Sequence, residues 1–269
     1  MKILVSFPGR AGDIIWMLPT ARAIAEAYDT PVDLQLAGEF AGLRPLLAQQ
    51  PYLGQVSADP RWGMEGSPAP VPFDLGLPHD RVFPLDYRGW PEWPLPLCPY
   101  TVAQSACAAD GVQLGPLDLL RPWITLVAPP EIWAVDIAVG FTEAWFELKL
   151  GLLTEVNYSL QEALVQLTPP GSRWVGVPGY IPVEGCDWLY AAATIQRAQV
   201  FFGDCSALHV LAVALGKRCI LMEPMEARHN EIFYPLGKTG PQVTLVTGND
   251  GLPTFDARHC IDALRKALP

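Results

Sequence analysis

The residues of this chain best suited to chemistry stand in two short turns. The first is Gly9-Arg10-Ala11-Gly12-Asp13. Glycines in such a turn let a ligand approach the backbone, and the free N–H groups at the start of a following helix favour an anion. Asp13 fits two roles, the acid of a helix start or a carboxylate offered to a substrate, and residue type alone leaves both open. The second turn is Gly203-Asp204-Cys205-Ser206-Ala207-Leu208-His209. Ser206 and the amides after it, those of Ala207 and Leu208, could hold a diphosphate, while Asp204 or Ser206 would serve equally as a helix cap. His209 fits a core or supporting histidine as readily as a reactive one.

Several common chemistries are excluded by spacing. The dinucleotide pattern G-x-G-x-x-G is absent. A nucleophile elbow needs glycines two before and two after Ser206, where Asp204 and Leu208 stand. Gly237-Lys238-Thr239 has the look of a phosphate-loop end, but the earlier glycine it requires would fall on Ile232. There is no D-x-D, no H-E-x-x-H and no clustered Cys and His, so no metal site is expected. Glu223 closes an apolar run and could be a surface acid. Tyr87-Arg88-Gly89-Trp90 could stack a sugar or a flipped base, or be a Trp/Pro packing cluster.

Each turn is placed by the pattern around it. Residues 2–7 read as a strand and Ile14, Leu18, Ala21, Ala25 and Tyr28 as one face of a helix, with Pro19 predicting a kink. A strand at 31–37 and a helix at 39–49 follow. From 50 to about 121 the pattern weakens to possible strands at 73–77 and 82–85, an ordered loop at 87–96 and a helix at 101–110. Alternation resumes with strands at 134–141, 174–177, 200–202, 218–222 and 243–246. Helices are expected at 145–153, 159–167, 188–198, 207–215 and 259–268, and Gly216 is placed to end the one after the second turn. Strand–helix alternation implies parallel sheets. Two α/β halves joined around 114–125 would enclose a cleft, with ligands at the carboxyl ends of the strands.

Composition sets outer limits. The chain has 269 residues, 50% hydrophobic and only 17% charged, which is enough apolar material for a core and excludes global disorder. With 28 acidic and 18 basic residues the formal charge is −10, which argues against nonspecific binding to nucleic acid or anionic lipid. No apolar run reaches the ~20 residues of a spanning helix. The apolar N-terminal run is too short for a signal peptide. Six widely spaced cysteines are expected to be reduced and mostly buried. A cytoplasmic protein without stable membrane insertion is the expectation.

Taken together, the two turns resemble the signatures of the ADP-heptose:lipopolysaccharide heptosyltransferase family. The first signature is carried by Gly12-Asp13-Ile14-Ile15-Trp16-Met17-Leu18-Pro19, and the second by Gly203 through Lys217, ending Leu211-Ala212-Val213-Ala214-Leu215-Gly216-Lys217. The resemblance is clear over the first 30 residues and over about 190–225. Anchored on Ser206 and Gly216, the family's aspartate falls on Cys205, its glycine on Ala207 and its histidine on Val210, with Asp204 and His209 one place early.

The resemblance implies a GT-B fold of two facing Rossmann-like domains, here 1–120 on the acceptor side and 121–269 binding the nucleotide sugar. It implies a monomeric glycosyltransferase that uses no cofactor beyond a nucleotide-diphosphate sugar as co-substrate. Asp13 would be the base. Gly12, Thr142, Lys149, Asp204, Cys205, Ser206, Ala207, Leu208, His209 and Glu223 would bind the donor. Arg10, Arg88 and Trp90 would face the acceptor, a saccharide or a hydroxymethylated DNA base, and Arg228 is a further phosphate candidate. A non-catalytic nucleotide-sugar-binding protein is the alternative.

Overall fold

The computed structural model describes residues 1–7, 9–60, 79–85, 97–127, 135–140, 174–176, 187–204, 206–223, 243–247 and 257–268. The first half runs β1 (Ile3–Ser6), α1 (Ala11–Tyr28), β2 (Val32–Ala37), a 3-10 turn (Gly38–Leu43), α2 (Arg44–Leu47), β3 (Leu53–Asp59), β4 (Arg81–Pro84) and α3 (Leu97–Ala109). Its described strands form a parallel sheet in the order β3-β2-β1-β4. The second half runs β5 (Val135–Gly140), β6 (Trp174–Gly176), α4 (Trp188–Arg197), β7 (Ala198–Asp204), α5 (Ala207–Ala214), β8 (Arg218–Glu223), β9 (Val243–Thr247) and α6 (Ala257–Ala267). These strands are also all parallel, in the order β6-β5-β7-β8-β9.

The two strand orders matter for function. In the first sheet the chain steps outward from β1 to β2 and β3, then crosses to the other side of β1 with β4. In the second it steps from β5 to β6, then crosses with β7. The crevice left where the direction reverses lies beyond the carboxyl ends of β1 and β4, and of β5 and β7. The first turn follows β1. The second follows β7, whose Gly203 pairs with Gly140 at the end of β5. Both turns therefore stand at switch points.

The differences from expectation have local causes. α1 begins at Ala11 rather than around Asp13, because the extended residue before it is Arg10, which leaves Asp13 in the first turn. The helix expected over 39–49 is a 3-10 turn followed by the four-residue α2. Pro45 has no N–H to continue the ladder there. Strand β3 was not legible, since its buried residues are Leu53, Val56 and Asp59, a spacing of three rather than two. The expected helices at 145–153 and 159–167, the strand at 73–77 and the loop at 87–96 lie outside the described residues.

α1 is buried continuously from Ile14 to Ala25, so that stretch has no solvent face, and Glu26 just beyond it is exposed. Such a helix needs a neighbour on every side. One neighbour is the first sheet through β2 and β3, others are α5 and α3, and a further one is the segment 110–127, which has no regular structure and links the halves. This segment is a strap. Arg22 donates to Pro122 O at 3.1 Å and Asp118 O at 2.8 Å, and Gln50 exchanges hydrogen bonds with the Thr125 backbone. On the other side, Trp123 N–H and Ile124 N–H both donate to Ala214 O at the end of α5.

Trp123 also resolves the proline in α1. The helix continues through Pro19, whose missing N–H would have bonded Ile15 O, four residues back. The indole Nε1–H of Trp123 donates to that same oxygen at 2.9 Å, in a buried setting, and its ring lies 5.5 Å from that of Trp16. A buried carbonyl that would otherwise lack a partner is thus satisfied by a side chain from the strap. One buried apolar cluster runs through Val5, Leu34 and Ile14, through Trp123 and Ile124, and on to Leu211, Phe201 and Leu221.

Candidate active site

The first turns of α1 and α5 meet. A Cβ on Gly12 would lie 3.3 Å from Ala207 Cα and 3.6 Å from both Ala207 Cβ and Val210 Cγ2. Gly12 is therefore the point where α1 approaches α5 closely, and its missing side chain is what permits the approach. Two turns almost two hundred residues apart in sequence are brought side by side, each presenting the start of a helix.

Asp13 is the third residue of α1 and is half-buried. One of its oxygens, Oδ2, accepts the Arg10 N–H at 3.0 Å. Gly9 packs closely against it, since a Cβ there would come within 2.6 Å of Asp13 Cβ. The carboxylate is thus held by the turn itself, at the mouth of the β1 switch point, while the Arg10 side chain is exposed.

At the second turn, Ser206 is the cap of α5, in extended geometry with φ −134° and ψ 175°. Its N–H donates to His209 Nδ1 at 2.9 Å. The Ser206 amide is thus already engaged, and the amides expected to hold a diphosphate are those of Ala207 and Leu208 after it. His209 is 1% exposed, and burial pushes its pKa down to about 3. It is a neutral imidazole with its proton on Nε2, because Nδ1 accepts. The signal was present in the sequence. Ser206 and His209 have the spacing of a capping box, with His in place of Glu. At the other end of α5, Gly216 (φ +74°) donates to Val213 O and Lys217 N–H to Ala212 O, the stop expected at that glycine.

Asp204 and Glu223 end the adjacent strands β7 and β8 at one carboxyl edge, where Asp204 pairs with Met222. Thr142, Lys149, Cys205, Arg88, Trp90 and Arg228 lie outside the described residues. Trp123, which packs on α1 behind this arrangement, is a residue that the sequence did not single out for function. Among the described residues no group of three or more His, Cys, Asp or Glu is placed to hold a metal ion. No described helix is long and apolar enough to cross a membrane. Cys98, Cys107 and Cys219 are free and buried.

A cavity of 490 Å³ lies elsewhere, lined in part by Arg22, Glu26, Tyr52, Arg121 and Trp123. Glu26 is about 20 Å along α1 from Asp13 at the usual helical rise. The cavity belongs to the strap and not to the switch-point crevice.

Two parallel sheets of these orders, each with a turn at its switch point, define a doubly wound α/β fold, a class in which ligands as a rule bind beyond the strand ends. Solved glycosyltransferases share this fold along nearly the whole chain. A glycosyl transferase of family 9 from Veillonella parvula matches with a TM-score of 0.63 and 11% identity, over 99% of this chain and 96% of that one. The E. coli heptosyltransferase WaaC, solved with ADP, gives 0.62 and 12%, covering 99% and 100%. E. coli ADP-heptose lps heptosyltransferase II gives 0.59 and 17%, covering 99% and 98%. No protein-family model matches the chain, and no curated protein sequence does. The chain is thus similar in fold to solved heptosyltransferases, with the parallel α/β sheets that the sequence resemblance implied.

Proposed function

We propose that this protein is a glycosyltransferase that moves a sugar from a nucleotide-diphosphate donor to an acceptor hydroxyl without a metal ion. A fold hosts many functions, so the fold alone does not carry the reading. The observation that carries it is the meeting of the two signature turns, with Gly12 against Ala207 and Val210. That contact packs the helix start that carries Asp13 against the first turn of α5, which supports assigning the base to one turn and the anion-holding amides to the other. A sugar transfer of this type needs a base for the acceptor and a positive environment for the leaving group.

In this reading Asp13 takes the acceptor proton as the acceptor oxygen bonds to the anomeric carbon. The bond from that carbon to the donor diphosphate breaks, and the diphosphate leaves with the electron pair. The amides of Ala207 and Leu208, at the positive end of α5, receive the developing charge. Thr142 and Lys149 are proposed to assist there, and Glu223 to take the ribose. Arg10, Arg88 and Trp90 are assigned to the acceptor. A saccharide acceptor is favoured over a hydroxymethylated base in DNA, because the net charge of −10 opposes a polyanion. The protein would act as a cytoplasmic monomer.

The test is a screen of ADP-, UDP-, GDP- and CDP-sugars by thermal shift, followed by turnover with saccharide and hydroxymethylated-DNA acceptors with and without EDTA. The reading expects one nucleotide class to raise the melting temperature and to release nucleoside diphosphate in the presence of a hydroxyl acceptor, unaffected by the chelator. Stabilisation by a nucleotide sugar with no transfer to any acceptor would favour a binding protein. Turnover abolished by EDTA and restored by Mg²⁺ or Mn²⁺ would remove the metal-free mechanism.

A further inference from the structure

We infer that His209 is a positioning residue for the donor: by taking the Ser206 N–H on Nδ1 it holds the cap of α5, so that the next amides face the diphosphate. The inference rests on the proposed function and assigns to His209 a role that needs no contact with substrate.

Three observations support it. The Ser206 N–H to His209 Nδ1 bond is 2.9 Å long, and the ring that accepts it is 1% exposed, so the imidazole is enclosed by protein. Ser206 keeps the extended backbone of a helix cap, the conformation that leaves the following N–H groups pointing out along the helix axis. Ala207, the next residue, packs closely against Gly12 of α1. The turn is therefore held both by a neutral acceptor on its own helix and by contact with the other half.

The chemical type of the acceptor also fits the task. The usual partner at this position of a capping box is glutamate or glutamine. A glutamate would hold the cap equally well but would put a negative charge beside amides that must receive a diphosphate. A buried imidazole, kept neutral by desolvation, accepts the same hydrogen bond without that repulsion.

The experiment uses the full chain, with inorganic pyrophosphate and ADP, UDP, GDP and CDP as probes, and compares wild type with His209→Leu and His209→Asn. Leucine roughly fills the ring's place without an acceptor, whereas asparagine places Oδ1 near the Nδ1 position. Loss of a cap acceptor should weaken pyrophosphate and diphosphate binding about tenfold in His209→Leu, and His209→Asn should return it to within about twofold of wild type. In turnover, the donor KM should rise in the leucine variant while kcat and the acceptor KM stay near wild type. A loss due only to general destabilisation would not be reversed by asparagine at the same melting temperature.

Leucine binding as tightly as wild type, or asparagine binding as weakly as leucine, would overturn the role while leaving the transferase reading intact. A wild-type protein that binds none of these probes would overturn both. Should the leucine variant not fold, the long-range ¹H–¹⁵N spectrum of wild-type His209 decides. An Nε2–H tautomer unchanged at saturating pyrophosphate supports positioning, and a change of tautomer or protonation on binding refutes it.

Discussion

At Asp13 a helix-start acid and the proposed base fall on one carboxylate, and asparagine separates the two roles. Asn retains an oxygen for the Arg10 N–H and gives up only the favourable interaction of a first-turn charge with the helix dipole, about 0.3–1 kcal/mol, so Asp13→Asn should lower the melting temperature only slightly. As the base it should lose transfer by ~10²–10⁴, measured as kcat with saturating donor, with donor affinity unaffected. Near-normal turnover would assign Asp13 to structure alone. His209 makes a second prediction at this scale. Its folded pKa, about 3, lies below its ordinary value of 6.5, so the unfolded chain takes up the proton first. The stability due to the neutral ring is complete above pH 6.5 and is lost as pH falls toward 3. The slope is of the order of 1.4 kcal/mol per pH unit for one such group. Denaturant titrations at pH 7, 5.5 and 4.5 should show this loss in wild type and a shallower one in His209→Asn. Parallel pH profiles would show that the ring is not buried neutral.

Among the elements, α1 carries two irregularities with measurable consequences. Trp123→Phe keeps most of the packing against Trp16 but leaves Ile15 O without its donor, which should cost about 1–3 kcal/mol for an orphaned buried carbonyl. Pro19→Ala supplies the missing helix N–H to the same oxygen. The double variant should therefore lose less than the sum of the two single changes, and urea unfolding of the four proteins gives the coupling directly. Strict additivity would mean that Trp123 acts by packing alone. At the far end of α1, Asp29 ends the helix in the left-handed region, φ 49° and ψ 43°, where a side chain is strained. Asp29→Gly should raise stability by roughly 0.5–1 kcal/mol, seen as a higher urea midpoint at unchanged slope. A lower midpoint would show that the aspartate side chain compensates for the strain.

Across the whole molecule, the apolar cluster does not stop at the strap. It passes from the first sheet through Trp123 and Ile124 to α5 and the second sheet, and Arg22 secures the strap from within. Arg22 is only 7% exposed, and its pKa is lowered by burial and then by the nearby Arg121, so its two carbonyl partners are what hold it there. Two halves that share a core should unfold together. Scanning calorimetry is expected to show one transition, with calorimetric and van't Hoff enthalpies that agree. Two resolved transitions would mean that the halves are energetically separate and that the strap is only a tether.

The sequence by itself determined what depends on neighbours along the chain. The turns at 9–13 and 203–209, the span of α5 and its stop at Gly216, and most strands of the second half follow from alternation, turn residues and caps within a few positions. The same local reading failed where local signals conflict. β3 buries residues without alternation, the helix expected after β2 meets Pro45, and α1 starts at Ala11 behind an arginine that is a poor capping side chain. Tertiary structure alone decided the strand orders that make both turns switch points. It also decided the approach of Gly12 to Ala207, the burial of His209 over the Ser206 amide, and the bond from Trp123 to Ile15, 108 residues away. Local propensity is written into a few consecutive residues. Which helix start meets which is settled only when a helix as thoroughly buried as α1 must find partners on every side, and those partners come from the distant half of the chain.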